Sequence, residues 1–257
     1  MDSPDPDALR EDMLDAVEHS LGREPTDRVR DAMAAVPREA FVAETPYVNS
    51  SGEQQGTRVL APETVVRLFE ALDARDGDDA LLVGAGVGYT AALLAELVGA
   101  EHVHAVDISR ELVYEARENL GAAGYDAVLV DCRDGADGLP AYAPFDRVLV
   151  EAAVVDPPRR LLGQLADGGR LVAARGRGAE QVVTAFEPSG DGGADAVYEG
   201  DAVSLRPLLV PGEEVGAGVR NRTAREDAEF AQQGYFAKTG WEHEWIDWDD
   251  RLTGTDR

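Results

Sequence analysis

The chain has 257 residues, 44% hydrophobic and 6% aromatic, enough apolar material to bury a full-sized core and too much for a disordered chain. It carries 50 acidic residues against 24 basic ones, a net charge of −26, and Lys238 is its only lysine. A field of that sign repels nucleic acid at ordinary ionic strength, but at molar salt the Debye length falls to roughly 3 Å and the repulsion is largely screened. Acid excess with lysine depletion is what a salt-accumulating cell imposes on its proteins, so the charge says little about partners. With Cys132 the single cysteine, an internal disulfide and a cysteine-based zinc site are both excluded. No apolar run approaches the roughly 20 residues of a membrane span, and the acidic start, Met1 to Asp7, has neither the basic flank nor the apolar core of a signal peptide. A cytoplasmic location is expected.

In chain order, residues 7–21 place Leu9, Met13, Leu14, Val17 and Leu21 at a helical period, and a second short helix fits 26–36 behind Pro25. Both read as covering helices. Residues 45–57 are polar, glycine-containing and unpatterned, a loop long enough to suggest function. Pro62 then opens a helix over 63–72 from the favoured first-turn position. Residues 1–75 therefore form an N-terminal region of helices and a candidate substrate loop.

From residue 76 a β-α alternation sets in: strands over 80–83, 103–106, 127–130, 146–150 and 169–174, helices over 89–98, 109–120 and 158–165. This predicts an α/β core over 76–210, an open, mostly parallel sheet wound on both faces. Two further strands, 181–187 and 196–205, flank the turn Pro188 to Gly193 and are expected to add an antiparallel end.

The most informative stretch is Leu81 to Tyr89, where a strand breaks into Gly84-Ala85-Gly86-Val87-Gly88 and a helix follows. The second apolar run ends in Asp107, about 20 residues on, where an acidic side chain can accept from both ribose hydroxyls. A dinucleotide loop needs a glycine three residues after its second; here Tyr89 stands at that position. The loop is G-x-G-x-G and suits S-adenosylmethionine, whose methionyl group has no phosphate for the helix dipole. Ligands of such sheets sit outside the carboxyl ends of the strands, which marks Gly84, Ala85, Gly86, Gly88, Asp107, Ile108, the segment Asp131 to Gly135, and Glu151 to Ala153. Asp134, beside Gly135, either accepts from the adenine amino group or caps a turn.

Several blocks resemble the protein-L-isoaspartate O-methyltransferases across roughly residues 36–209. Val36-Pro37-Arg38-Glu39-Ala40-Phe41-Val42 is similar to that family's V-P-R-x-x-F-V segment, and Gly84 to Tyr89 with Ala91-Ala92 to its glycine loop. Glu115 to Leu120, Asp134-Gly135, Gly138-Leu139-Pro140, Ala143 to Asp146 and Gly168 to Val172 follow in the family's order. The resemblance implies a Rossmann-like S-adenosylmethionine-dependent fold that methylates the α-carboxylate of isoaspartyl residues in damaged proteins. A monomer is expected, with a damaged protein or peptide as substrate and neither nucleic acid nor membrane as partner. The gap-free match to the family's substrate loop, G-Q-T-I-S-x-P, is Gly56 to Pro62, which puts Leu60 where the family carries its active-site serine; Leu82 replaces the acidic residue usual before the glycine loop. The catalytic position is thus unassigned, and the candidates for gripping the peptide are Thr57, Arg58 and the loop Asn49-Ser50-Ser51. Arg58 is either a bidentate carboxylate clamp or a solvated surface arginine.

Two other readings stay open: a methyltransferase of this fold with a small-molecule or other carboxylate acceptor, and a non-catalytic homologue acting as a binding protein. The acidic extension 211–257 carries Trp241, Trp245 and Trp248, spaced as one face of a helix. Docking of that face is favoured over a metal site at His243.

Overall fold

The computed structural model describes residues 5–190 and 193–208; the expected tryptophan-bearing extension and His243 lie outside the described residues. Helix α1, Pro6–Leu21, starts where Asp5 accepts from the Asp7 amide and Pro6 presets the first turn, and stops at Gly22, left-handed at φ 68°. Helix α2 spans Asp27–Ala35. The polar segment after it is not wholly irregular: Gly52–Gln54 (β1) and Thr57–Val59 (β2) pair as a small antiparallel hairpin. Its turn is Gln55-Gly56, both left-handed at φ 49° and 75°, the backbone that matches strand twist in a two-residue hairpin. Helix α3, Pro62–Leu72, has proline in its first turn and no cap of its own. Asn49 supplies one across the chain, its Oδ1 accepting from the Glu63 amide at 3.0 Å.

The core sheet consists of β3 (Ala80–Val83), β4 (Val103–Asp107), β5 (Leu129–Cys132), β6 (Phe145–Val154), β7 (Leu165–Arg177), β8 (Glu180–Pro188) and β9 (Ala194–Val203). Its order is β5-β4-β3-β6-β7-β8-β9; the pairings from β5 through β7 are parallel, and β8 and β9 add antiparallel at one end. The chain winds outward from β3 in both directions, so the switch point, where such sheets bind ligands, lies at β3. Helix α4 (Tyr89–Val98) joins β3 to β4 and α5 (Arg110–Ala122) joins β4 to β5.

Alternation along the strands sorts the two faces. Leu82, Leu149 and Val172 join one buried cluster with residues of α1 through α5, while Leu81, Val83, Val148, Val150 and Leu171 join a second with Leu161 and Leu208. The N-terminal helices therefore share the core of the sheet. Each wholly buried leucine or valine contributes on the order of 1.5–3 kcal/mol. The expected helix over 158–165 shrinks to Arg159–Leu162 (α6), because Pro157 and Pro158 precede it and the chain from Leu165 already pairs with Phe145 on β6. The second face is consequently covered by α6 and by irregular chain. The strand expected over 127–130 runs two residues later, which brings Asp131 and Cys132 into β5.

Candidate active site

At the carboxyl ends of the parallel strands a cleft opens, where open sheets of this kind bind their ligands. Gly84, Asp107, Ile108, Ser109, Gly135 and Glu151 line it from the strand ends, and Gly56 and Thr57 from the hairpin turn. The glycine loop is held by β4: the Gly84 and Ala85 amides donate to the Val106 carbonyl at 2.8 and 3.0 Å. The Gly86 amide donates to Asp107 Oδ2, and the Ser109 amide to Asp107 Oδ1, each at 2.9 Å. Asp107 is thus a buried carboxylate, 8% exposed, held on both oxygens by backbone amides. With about four acceptor sites on an ionised carboxylate, it keeps room for a ligand hydroxyl. Burial pushes its pKa above the ordinary carboxylate value despite these backbone bonds.

The expected cofactor residues do not all reach this cleft. Gly84, Asp107, Ile108 and Gly135 line it, and Gly86 is tied to it through Asp107. Ala85 is buried in the core instead. Gly88, at φ 94°, faces α5: a Cβ there would lie 3.2 Å from the Ala116 carbonyl oxygen. Its missing side chain serves helix packing. Asp134 takes the capping alternative, its Oδ1 accepting from the Ala136 amide at 2.9 Å, which turns Gly135 against β3. A Cβ on Gly135 would sit 2.3 Å from Val83 Cγ1, so only glycine lets the chain pass so close to the cleft floor.

On the acceptor side, Thr57 lines the cleft, and its side chain lies 3.9 Å from where a Gly86 Cβ would stand. Arg58 points elsewhere, its Nη1 donating to the Ser204 carbonyl at 3.0 Å. Asn49 is occupied in capping α3. Leu60 is 7% exposed within the core and is absent from the cleft lining; its carbonyl accepts from Arg38 Nη2 at 2.9 Å. Ser50 and Ser51 border a second, more polar cleft together with Arg38, Gln54 and Val59.

Two contributors, Arg206 and Arg38, escape a strand-by-strand reading. Arg206 donates to the Gly56 carbonyl and to Glu53 Oε2, both at 2.7 Å, clamping the hairpin over the cleft. It is placed by pairing of residues 206–208 with the end of β6 at Ala153, which nothing local in the sequence announces. Arg38, 2% exposed, lies over the Tyr89 ring at 4.4 Å and leaves Nε and Nη1 without partners. Glu151 lines the cleft beside Gly84 with its Oε1 buried and unpartnered. Burial pushes its carboxyl pKa up to about 7, against the downward pull of the Thr90 hydroxyl and Arg38. Among the described residues no group of three or more histidine, cysteine or acidic side chains could hold a metal.

The pattern that describes protein-L-isoaspartate(D-aspartate) O-methyltransferases matches residues 10–203, well over half of the chain. This protein belongs to that family. A protein-L-isoaspartate O-methyltransferase of Aeropyrum pernix is 42% identical over 198 residues, 73% of this chain and 76% of that one. One of Methanocella arvoryzae is 40% identical over 185 residues, 69% of this chain and 96% of that one. Among solved structures, a putative protein-L-isoaspartate O-methyltransferase of Plasmodium falciparum, in complex with S-adenosyl-L-homocysteine, superposes with a TM-score of 0.65 at 20% identity. The superposition covers 80% of this chain and 99% of that one, and it bears on the fold alone. The protein-L-isoaspartate methyltransferase fold is thus the Rossmann-like sheet described above, and S-adenosylmethionine is the family's methyl donor.

The residues present fit that donor. The cleft has Gly84 in left-handed backbone at φ 96°, Gly135 where a Cβ would crowd Val83, a buried carboxylate with acceptor capacity to spare, and an orphaned carboxyl oxygen. Together they offer close backbone approach and acceptors for hydroxyl and ammonium donors.

Proposed function

We propose that this protein methylates the α-carboxylate of isoaspartyl residues in damaged proteins, with S-adenosylmethionine held at the strand-end cleft. The observation that carries the reading is Asp107: a buried carboxylate at the end of β4, locked to the glycine loop, in a chain of the isoaspartyl methyltransferase family. Bound S-adenosylmethionine supplies a methyl group on a sulfonium. Asp107 would hold the ribose hydroxyls, while Gly84 and Gly135 give the backbone room to approach. A substrate carboxylate, with an ordinary pKa near 3.9, is ionised at neutral pH and needs no general base. The chain's task is to align it and keep water out, and alignment supplies much of the rate.

The peptide grip falls to the second cleft. Ser50 and Ser51 offer hydroxyls there and Arg38 a buried guanidinium, whereas Arg58 is engaged with Ser204. Leu60 in the core removes one hydroxyl from the site, which favours, as a second reading, a different carboxylate acceptor on the same cofactor cleft. Lysine depletion and the net charge of −26 support an enzyme of a salt-accumulating cell. No described helix is long and apolar enough to cross a membrane.

Incubation in high salt with methyl-labelled S-adenosylmethionine and either an isoaspartyl peptide or its aspartyl twin tests the proposal. Base-labile label on the isoaspartyl peptide alone is expected. Binding of the cofactor with no transfer to either peptide would move the assignment to another acceptor or to a non-catalytic role.

A further inference from the structure

Glu151 is a half-buried titratable group with one carboxyl oxygen buried and unpartnered, to which the methyl transfer as derived gives no role. It follows Val150, the last residue of β6 to pair with β3, and lies at the register shift between Val150 and Ala153 in the pairing of β6 with β7. A Cβ on Gly84 would lie 3.4 Å from Glu151 Cβ, so the Glu151 side chain leaves the backbone beside the glycine loop, and its carboxyl meets the Thr90 hydroxyl of α4. Asp107 and Glu151 are the two carboxylates lining the cleft, and Arg206, the one cation among the lining residues, is engaged with Gly56 and Glu53. A buried carboxyl oxygen without a donor costs free energy, and a ligand that brings a donor recovers it.

We propose that Glu151 is the counter-charge for the α-ammonium group at the methionyl end of the bound cofactor, fixing which way the cofactor lies along the cleft. The inference rests on the reading that this cleft takes S-adenosylmethionine. That molecule carries two cationic groups, and only one can satisfy Glu151: a sulfonium has no N–H to give, whereas an ammonium offers three donors. Asp107, tied to the Gly86 and Ser109 amides, takes the ribose hydroxyls; Glu151 takes the cationic end.

The groups facing Glu151 are Arg38 from the segment before the hairpin, Thr90 from α4 and Asp107 from β4. Burial outweighs the downward pull of Thr90 and Arg38 and, with a smaller push from Asp107, leaves the carboxyl titrating near neutrality, with a pKa of about 7. An incoming ammonium favours the carboxylate and lowers that pKa. Binding below about pH 7 therefore expels a proton, and affinity rises with pH until about 7 and then levels.

Calorimetric titration with two probes tests this: S-adenosylhomocysteine, which keeps the ammonium and lacks the sulfonium, and 5′-methylthioadenosine, which has the nucleoside but no amino-acid group. Glu151→Gln is expected to lose on the order of tenfold or more for S-adenosylhomocysteine, as for a hydrogen bond to a charged group, and to bind methylthioadenosine as before. Wild-type protein should release a proton to buffer on binding S-adenosylhomocysteine at pH 6, and none with methylthioadenosine. That second measurement holds even where the variant folds poorly. Equal losses for the two probes, or no proton release by the wild type, would overturn the role of Glu151 while leaving the cofactor cleft standing. Failure of the wild type to bind either probe would overturn the cofactor reading and this inference with it.

Discussion

Asp107 joins two functions in one carboxylate. Its oxygens fix the glycine loop and the start of α5, and their remaining lone pairs are what the cleft offers a ribose. Replacing it by alanine should weaken S-adenosylhomocysteine binding by about tenfold or more, while Asp107→Asn, which keeps one acceptor oxygen, should lose less. Titration calorimetry ranks the three proteins, and unchanged affinity in the alanine variant would remove Asp107 from the site. Asp107 is legible in the sequence because its position follows from one strand, one turn and a count of residues. Arg206 is not, since it reaches the hairpin only through pairing of a late segment with β6. Glu151 falls between the two: its place at a strand end can be counted, whereas its lone buried oxygen depends on what surrounds it.

At the scale of elements, the third glycine of the loop belongs to the packing of α4 on α5. Gly88→Ala would force a side chain into left-handed backbone at φ 94° with its Cβ 3.2 Å from the Ala116 carbonyl oxygen. A destabilisation of about 1–3 kcal/mol is expected from the backbone alone, read as a lower thermal midpoint, with S-adenosylhomocysteine affinity largely retained by the folded fraction. A loss of affinity without a loss of stability would put Gly88 back into the binding site. The spacing of the glycines is visible in the sequence, but their division of labour is not. Gly84 faces the cleft and Gly88 faces a helix because the turn rotates between them. The hairpin β1–β2 escapes a reading by pattern for a similar reason: three residues a side give no alternation to count. Distant partners hold it, with Gln54 bonded to the Phe41 carbonyl and to Glu115, and Arg206 to Gly56.

For the whole molecule, the net charge of −26 opposes compaction, and the ion pairs of the described residues do little to offset it, being mostly solvent-exposed, as at Arg75–Asp73 and Arg206–Glu53. Raising potassium chloride from about 0.1 to about 1 M shortens the Debye length from roughly 10 to roughly 3 Å, so the thermal midpoint should climb with salt. A flat or falling midpoint would contradict a charge suited to a salt-accumulating cell. The existence and order of the strands are legible, most plainly through β3-α4-β4-α5, where each strand-helix unit repeats a period that local residues impose. The covering of its second face is less so, since proline at 157 and 158 cuts α6 short and irregular chain takes its place. A crystal structure of the full chain with S-adenosylhomocysteine tests the cofactor cleft most directly. The ribose hydroxyls are expected on Asp107 and the amino-acid end against Glu151 and Thr57; a ligand bound elsewhere, or ribose held by other side chains, would contradict that assignment.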